Sequence, residues 1–158
     1  MKQAVEVLVN SVQVTRVEKK IKAPLKFVYD WCTDYREDDH EITGSIRRKV
    51  ILEKTSKKAV HIYLWDDETG KQQMSANIVS LKPPSSWHLD SFGKEQTYTG
   101  DYKLTRINKD ETKFHVVFKH KWKEGQRIQS VAEQEGRLAK LWDKYVAALE
   151  NDYANKKS

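Results

Sequence analysis

The chain has 158 residues, of which 29 are basic and 23 acidic, giving a formal net charge of +6. A chain of this length can bury about two thirds of the surface its unfolded form exposes, so it needs no disulfide, and its one cysteine, Cys32, excludes an intrachain bridge. No run approaches the ~20 apolar residues of a membrane helix, and the opening "MKQAVEVLVNSVQVT" breaks its apolar stretch at Glu6 and Asn10, too soon for a signal peptide.

These features predict one domain over residues 1–158 in a reducing, cytoplasmic setting. The positive charge invites nucleic acid or an anionic membrane surface. The basic residues, however, are scattered over many segments, and the runs "RVEKKIK" and "SIRRKV" are interrupted. A specific nucleic-acid partner is therefore not expected, while transient contact with an anionic membrane stays open.

Residues 11–22, "SVQVTRVEKKIK", are rich in β-branched side chains and predict a strand. "AVEVLV" before it either extends that strand or forms a separate short one. In "APLKFVYDWCTDY", Pro24 suits the first turn of a helix, and Phe27, Val28, Trp31, Cys32 and Tyr35 recur at helical spacing. Cys32 thus reads as buried and inert. The acidic "REDDHEITG" has room for a short second helix. The acidic cluster Asp34, Glu37, Asp38, Asp39, His40 and Glu41 offers oxygen ligands, but the spacing matches neither an EF-hand loop nor a zinc helix, so no metal or other cofactor is expected.

From residue 45 onward six strands follow, separated by turn chemistry. "SIRRKVILEK" ends in "TSKK", "AVHIYLWDDE" at Thr69-Gly70, and "KQQMSANIVSLK" at Pro83-Pro84-Ser85-Ser86. "WHLDSF" ends at Gly93-Lys94, "TYTGDYKLTRI" at "NKDE", and "TKFHVVFKHKWK" at Glu124-Gly125. Connections this short make an antiparallel meander. In "AVHIYLWDD" both parities are apolar; the aliphatic set Val60, Ile62 and Leu64 is expected inside, and His61, Tyr63 and Trp65 outside.

"KFHVVFKHKWK" alternates cleanly, so Phe114, Val116, Phe118, His120 and Trp122 share the inner face, where a histidine is unusual. The chain closes on a helix expected over residues 127–153, roughly 40 Å long. Its stripe runs Ile128, Val131, Glu135, Leu138, Trp142, Tyr145 and Leu149, with a carboxylate in the middle of an apolar face. Such a helix needs a partner surface, and the inner face of the sheet supplies it.

This order of elements, β-α-α-β6-α, resembles the helix-grip fold of the START/SRPBCC superfamily, which includes birch-pollen-allergen-like and polyketide cyclase/dehydrase-like proteins. The stretch "VEKKIKAPLKFVYDWCTDY" is similar to that family's opening, in which a strand runs into Ala-Pro and an aromatic-bearing helix that ends at Asp. The resemblance covers about residues 11–153. It implies an α+β domain in which a curved antiparallel sheet of about seven strands wraps the long C-terminal helix. Between them it implies a cavity for lipids, sterols, polyketides or other hydrophobic molecules.

The inner parities nominate Tyr98, Tyr102, Phe114, Phe118, His120, Trp122, Glu135, Leu138 and Trp142 as the cavity wall. Each also serves as ordinary core, and in such a fold the two roles overlap. His120 and Glu135 are the candidate acid–base pair, although His120 can equally be a satisfied core histidine and Glu135 a rim residue. Glu135 has three candidate partners: His120, Arg106 or a ligand. Three functional classes follow. The first is a binder or carrier of a hydrophobic or amphipathic small molecule, as monomer or homodimer. The second is a cyclase/dehydratase-type enzyme using His120 and Glu135. The third is a basic module for protein or anionic-surface contact.

Overall fold

The computed structural model describes residues 12–35, 42, 48–66, 69–123, 125 and 129–157. Seven strands and two helices follow in the order β1 (Gln13–Ile21), α1 (Leu25–Thr33), β2 (Arg48–Lys54), β3 (Lys58–Asp66), β4 (Gln72–Lys82), β5 (Ser86–Gly93), β6 (Gln96–Asn108), β7 (Glu111–Trp122) and α2 (Val131–Lys157). The strands form one antiparallel sheet in the order β1-β7-β6-β5-β4-β3-β2. β2 through β7 are thus the expected meander, and β1 crosses over to pair with β7. This is the helix-grip α+β arrangement. The expected short second helix and the extension before residue 11 fall outside the described residues, as does most of the acidic cluster.

Pro24 precedes the first turn of α1, and its carbonyl accepts from the Val28 N–H at 3.0 Å. The start of α2 is set by Ser130, whose hydroxyl accepts from the Glu133 N–H at 3.1 Å, a capping contact that satisfies a first-turn donor. The helix accordingly begins at Val131 and runs to Lys157, later at both ends than its apolar spacing predicts.

Glu135 explains how α2 is held. β1 is an edge strand, and an edge leaves backbone N–H groups open to wrong pairing. The Arg16 N–H donates to Glu135 Oε2 at 3.2 Å and the Lys22 N–H to Glu150 Oε2 at 3.0 Å, while Lys19 Nζ meets Asp143 Oδ1 at 2.6 Å. Fifteen helical residues rise about 22 Å and six strand residues about 20 Å, so the two carboxylates reach both ends of the same stretch of edge. α2 lies along β1 with its carboxylates on the strand's free donors.

That placement rotates the helix from its expected phase. Gln134, fully enclosed, points inward where the apolar stripe put Glu135, and Val131 is exposed. Leu138 and Leu149 remain inside, with Trp142 and Val146 packed against the core. Trp142 lies 4.3 Å from the Phe114 ring, and Phe114, Tyr102 and Trp87 continue the aromatic layer across three strands. Gly100 lets this layer close: a β-carbon there would come within 2.9 Å of Tyr102 Cε2 and 3.0 Å of Phe118 Cε1. Cys32 is half-buried against the core rather than enclosed.

The phase of β3 is the opposite of the one expected. His61 is fully buried with Ala59 on the inner face, while Val60, Ile62 and Leu64 lie on the outer face. The reason is that the outer parity of β4 is itself apolar, with Met74, Ala76 and Ile78 opposite Leu64, Ile62 and Val60. The inner wall at this end of the sheet is built from polar side chains.

Candidate functional site

Cross-strand register places a polar row straight across the inner face. His61 on β3 stands opposite Asn77 on β4, Asn77 opposite Ser91 on β5, Ser91 opposite Tyr98 on β6, and Tyr98 opposite His120 on β7. The neighbouring row, Ala59, Val79, Leu89, Gly100 and Phe118, is apolar. Beyond it the rows through Leu81, Trp87 and Tyr102 are apolar and aromatic. On the other side of the polar row lie Tyr63, Ser75 and the inward Lys49. The interior therefore has an apolar end and a polar end, and the His61–His120 row is the boundary.

At the β3 end, His61 sits in an aromatic bracket, stacked on Tyr35 at 5.2 Å and edge-on to Tyr63 at 4.6 Å. Tyr35 takes φ 43°, the left-handed region that a bulky residue seldom adopts, at the point where the chain leaves α1. Lys49 is buried with its ammonium 5.0 Å from the Tyr35 ring centre and 5.6 Å from that of Tyr63. Burial, and then the Lys49 charge, push His61 down to about 3, so its imidazole is neutral at physiological pH.

Two polar atoms here have no hydrogen-bond partner: His61 Nδ1 and Asn77 Oδ1. The orientation of Asn77 is settled by its neighbours. Its Nδ2 lies 3.3 Å from the Ser75 carbonyl oxygen, which can only accept, and 3.2 Å from Ser75 Oγ. Asn77 Oδ1 is therefore left as a bare acceptor in a residue that is 0% exposed. Leaving such groups unsatisfied costs about 1–3 kcal/mol each. Enclosed polar atoms of native proteins nearly always have partners.

At the β7 end the side chains of His120 and Gln13 are satisfied, while the enclosed Gln134 Oε1 has no partner. His120 Nδ1 faces Gln96 Oε1 at 3.0 Å and its Nε2 faces Thr15 Oγ1 at 3.0 Å. With the ring neutral, Nδ1–H donates to the Gln96 carbonyl and Nε2 accepts from the Thr15 hydroxyl. Burial, and then the Arg137 charge, hold His120 down to about 4. Gln13 is the hub beside it. Its Oε1 accepts from Trp122 Nε1 at 3.1 Å and Gln134 Nε2 at 2.8 Å, while its Nε2 donates to the Gln129 carbonyl at 3.0 Å.

Of the nominated wall residues, Tyr102, Phe114, Phe118, His120, Trp122 and Leu138 are buried on the inner side, and Tyr98 and Trp142 are partly covered. Tyr98 lies deep in the fold, its phenol raised by burial against a hydrogen bond with Ser91 and the Arg137 charge, yet part of its surface remains uncovered. Glu135 stands apart, on the β1 edge, and is joined to neither His120 nor Arg106 by a hydrogen bond. Lys49, His61, Ser75, Asn77, Ser91 and Gln134 are among the inner polar residues that sequence reasoning missed. Among the described residues no group of three or more His, Cys, Asp or Glu side chains is placed to hold a metal ion, and no helix is long and apolar enough to cross a membrane.

This arrangement is the helix-grip fold, and solved structures share it over nearly the whole chain. The Zhui aromatase/cyclase from Streptomyces sp. R1128 superposes with a TM-score of 0.71 at 11% identity, covering 94% of this chain and 97% of its own. Ara h 8.0201 follows at a TM-score of 0.68 and 13% identity, covering 92% and 99%. A START superfamily protein from Mycobacterium smegmatis gives 0.64 at 11% identity, covering 90% and 97%. No family model matches the chain, and no curated protein matches it by sequence.

Proposed function

We propose that the protein binds a hydrophobic or amphipathic small molecule between the inner face of the sheet and α2. The observation that carries this reading is the pair of buried, partnerless polar atoms on adjacent strands, His61 Nδ1 and Asn77 Oδ1, at the border of an apolar, aromatic interior. A solid core would favour apolar side chains at these positions, because an unsatisfied polar group weakens it. A binding site uses a few placed polar groups in an otherwise apolar lining to orient its ligand. The incompletely covered Tyr98 and Trp142 supply the aromatic part of that lining. The fold shared with an aromatase/cyclase and a START superfamily protein supports the same reading.

An acid–base reaction through His120 and Glu135 draws no support from the geometry. Both ring nitrogens of His120 are engaged by Thr15 and Gln96, and Glu135 holds the β1 edge. Binding without turnover is the function the site supports best. Native mass spectrometry of protein purified without detergent tests it, with and without an added apolar probe such as naphthalene or 1-naphthol. A one-to-one adduct that is lost on denaturation is expected. Absence of any adduct, together with no quenching of tryptophan fluorescence by the probes, counts against a ligand site.

A further inference from the structure

The unpartnered atoms say more than that a ligand binds; resting on the binding reading above, they specify which end of it binds there. Asn77 Oδ1 can only accept, so the atom that meets it must donate. A ketone, ester or carboxylate oxygen cannot. An ammonium can, but it would be brought beside the buried Lys49 charge that borders the same aromatic bracket. His61 is neutral beside that lysine, so its Nδ1 carries a hydrogen in one tautomer only, and it can then donate to the oxygen that itself donates to Asn77. Directly opposed residues of an antiparallel pair have their β-carbons about 5 Å apart, so the His61 and Asn77 side chains are neighbours on the inner face. A hydroxyl meets all of these demands with one atom: it accepts from His61 and donates to Asn77.

The rest of the ligand is fixed by what adjoins the pair. The next row of the inner face is Ala59, Val79, Leu89 and Gly100; Tyr98, partly uncovered, stands on the same row as Asn77, and the partly uncovered Trp142 lies farther along against Tyr102 and Phe114. We infer that His61 and Asn77 form a hydroxyl-specific subsite, and that the ligand is an uncharged molecule whose apolar, aromatic body carries an alcohol or phenol at the end facing β3 and β4.

The test uses the full chain and three probes of nearly equal size: 1-naphthol, naphthalene and 1-naphthoate, with binding followed by tryptophan fluorescence. An unspecific apolar interior ranks naphthalene first, because a hydroxyl must give up its water. The subsite reverses that order, because naphthalene leaves two buried polar atoms unpaired. Naphthol is expected to bind about tenfold or more tighter than naphthalene, and naphthoate more weakly than naphthol. Asn77→Leu and His61→Phe are each expected to cut naphthol affinity by about tenfold while leaving naphthalene within about twofold. Naphthalene binding as tightly as naphthol overturns the subsite and leaves the binding site standing. Tighter binding of naphthoate than of naphthol also overturns it, in favour of an anion site at Lys49. Binding of none of the three overturns both. Should either variant fail to fold, the wild-type order of the probes decides alone.

Discussion

Two histidines buried in their neutral form make the fold sensitive to mild acid, and the size of the effect follows from their surroundings. His61 is held at about 3 by burial and Lys49, and His120 at about 4 by burial and Arg137, against an ordinary value of 6.5. Between those folded values and 6.5 the unfolded chain takes up protons that the native protein refuses. Stability is therefore fully present above 6.5 and is lost as pH falls toward the folded values. Each pH unit is worth about 1.4 kcal/mol, so at pH 5 each histidine costs about 2 kcal/mol relative to pH 8, and the pair costs about 4 kcal/mol. That is a large part of the roughly 5–15 kcal/mol that holds a native domain together. In urea it lowers the unfolding midpoint by about 2 M for a slope of about 2 kcal/mol per molar. Urea melts at pH 8 and pH 5 measure the drop, and the double variant His61→Phe/His120→Gln is expected to lose most of it. The same drop in the double variant as in the wild-type chain would assign the acid sensitivity to carboxylates and refute the reasoning.

His88, on the outer face, works in the opposite direction. Burial alone would lower it, but hydrogen bonds with Asp101 at 2.6 Å and Asp90 at 3.1 Å raise it overall. Its contribution is fully present below 6.5 and fades as pH rises through the folded value, so His88→Gln is expected to steepen the acid loss seen in the urea melts. Gly100→Ala drives a methyl group into the Tyr102 and Phe118 rings and is expected to cost about 1–3 kcal/mol by chemical denaturation. Leu149→Ala empties a site that is 1% exposed and is expected to cost about 2–5 kcal/mol in the same assay. Glu135→Ala removes one surface acceptor from the β1 edge, and its expected cost is under about 1 kcal/mol.

The six-strand meander and the inward side of β7 were legible in the sequence because each rests on a rule that tertiary context did not override. β7 alternates between apolar and basic residues along its length, so its inner parity had one solution, and His120 followed from it. β3 and β4 broke the rule behind that inference. Period-two reasoning assumes that the inner face is the more apolar one, and a register shift of one residue exchanges the faces. In β4 the inner set is Gln73, Ser75, Asn77 and Val79, and the outer set is Met74, Ala76 and Ile78, so the apolar parity is the wrong guide. This polar inner wall holds the candidate site, which is why the sequence pointed to Tyr98 and His120 but passed over His61 and Asn77. A related ambiguity affected α2. Gln134 and Glu135 are one helical step apart, and the rotation is fixed by polar contacts to β1 and its end, from Glu135, Asp143 and Glu150 on one side and Gln134 on the other. The alternation of hydrophobicity does not encode those contacts.

The central claim is that a ligand's polar end rests on the inner face of β3 and β4. A titration of ¹⁵N-labelled protein with 1-naphthol, followed by amide chemical shifts, tests it most directly. Saturable shifts are expected, concentrated at His61, Asn77, Ser91 and Tyr98, with the Asn77 side-chain amide and the Trp142 indole among them, while the outer-face amides of Met74 and Ile78 stay in place. Shifts confined to the outer face, or none at saturating probe, would contradict it.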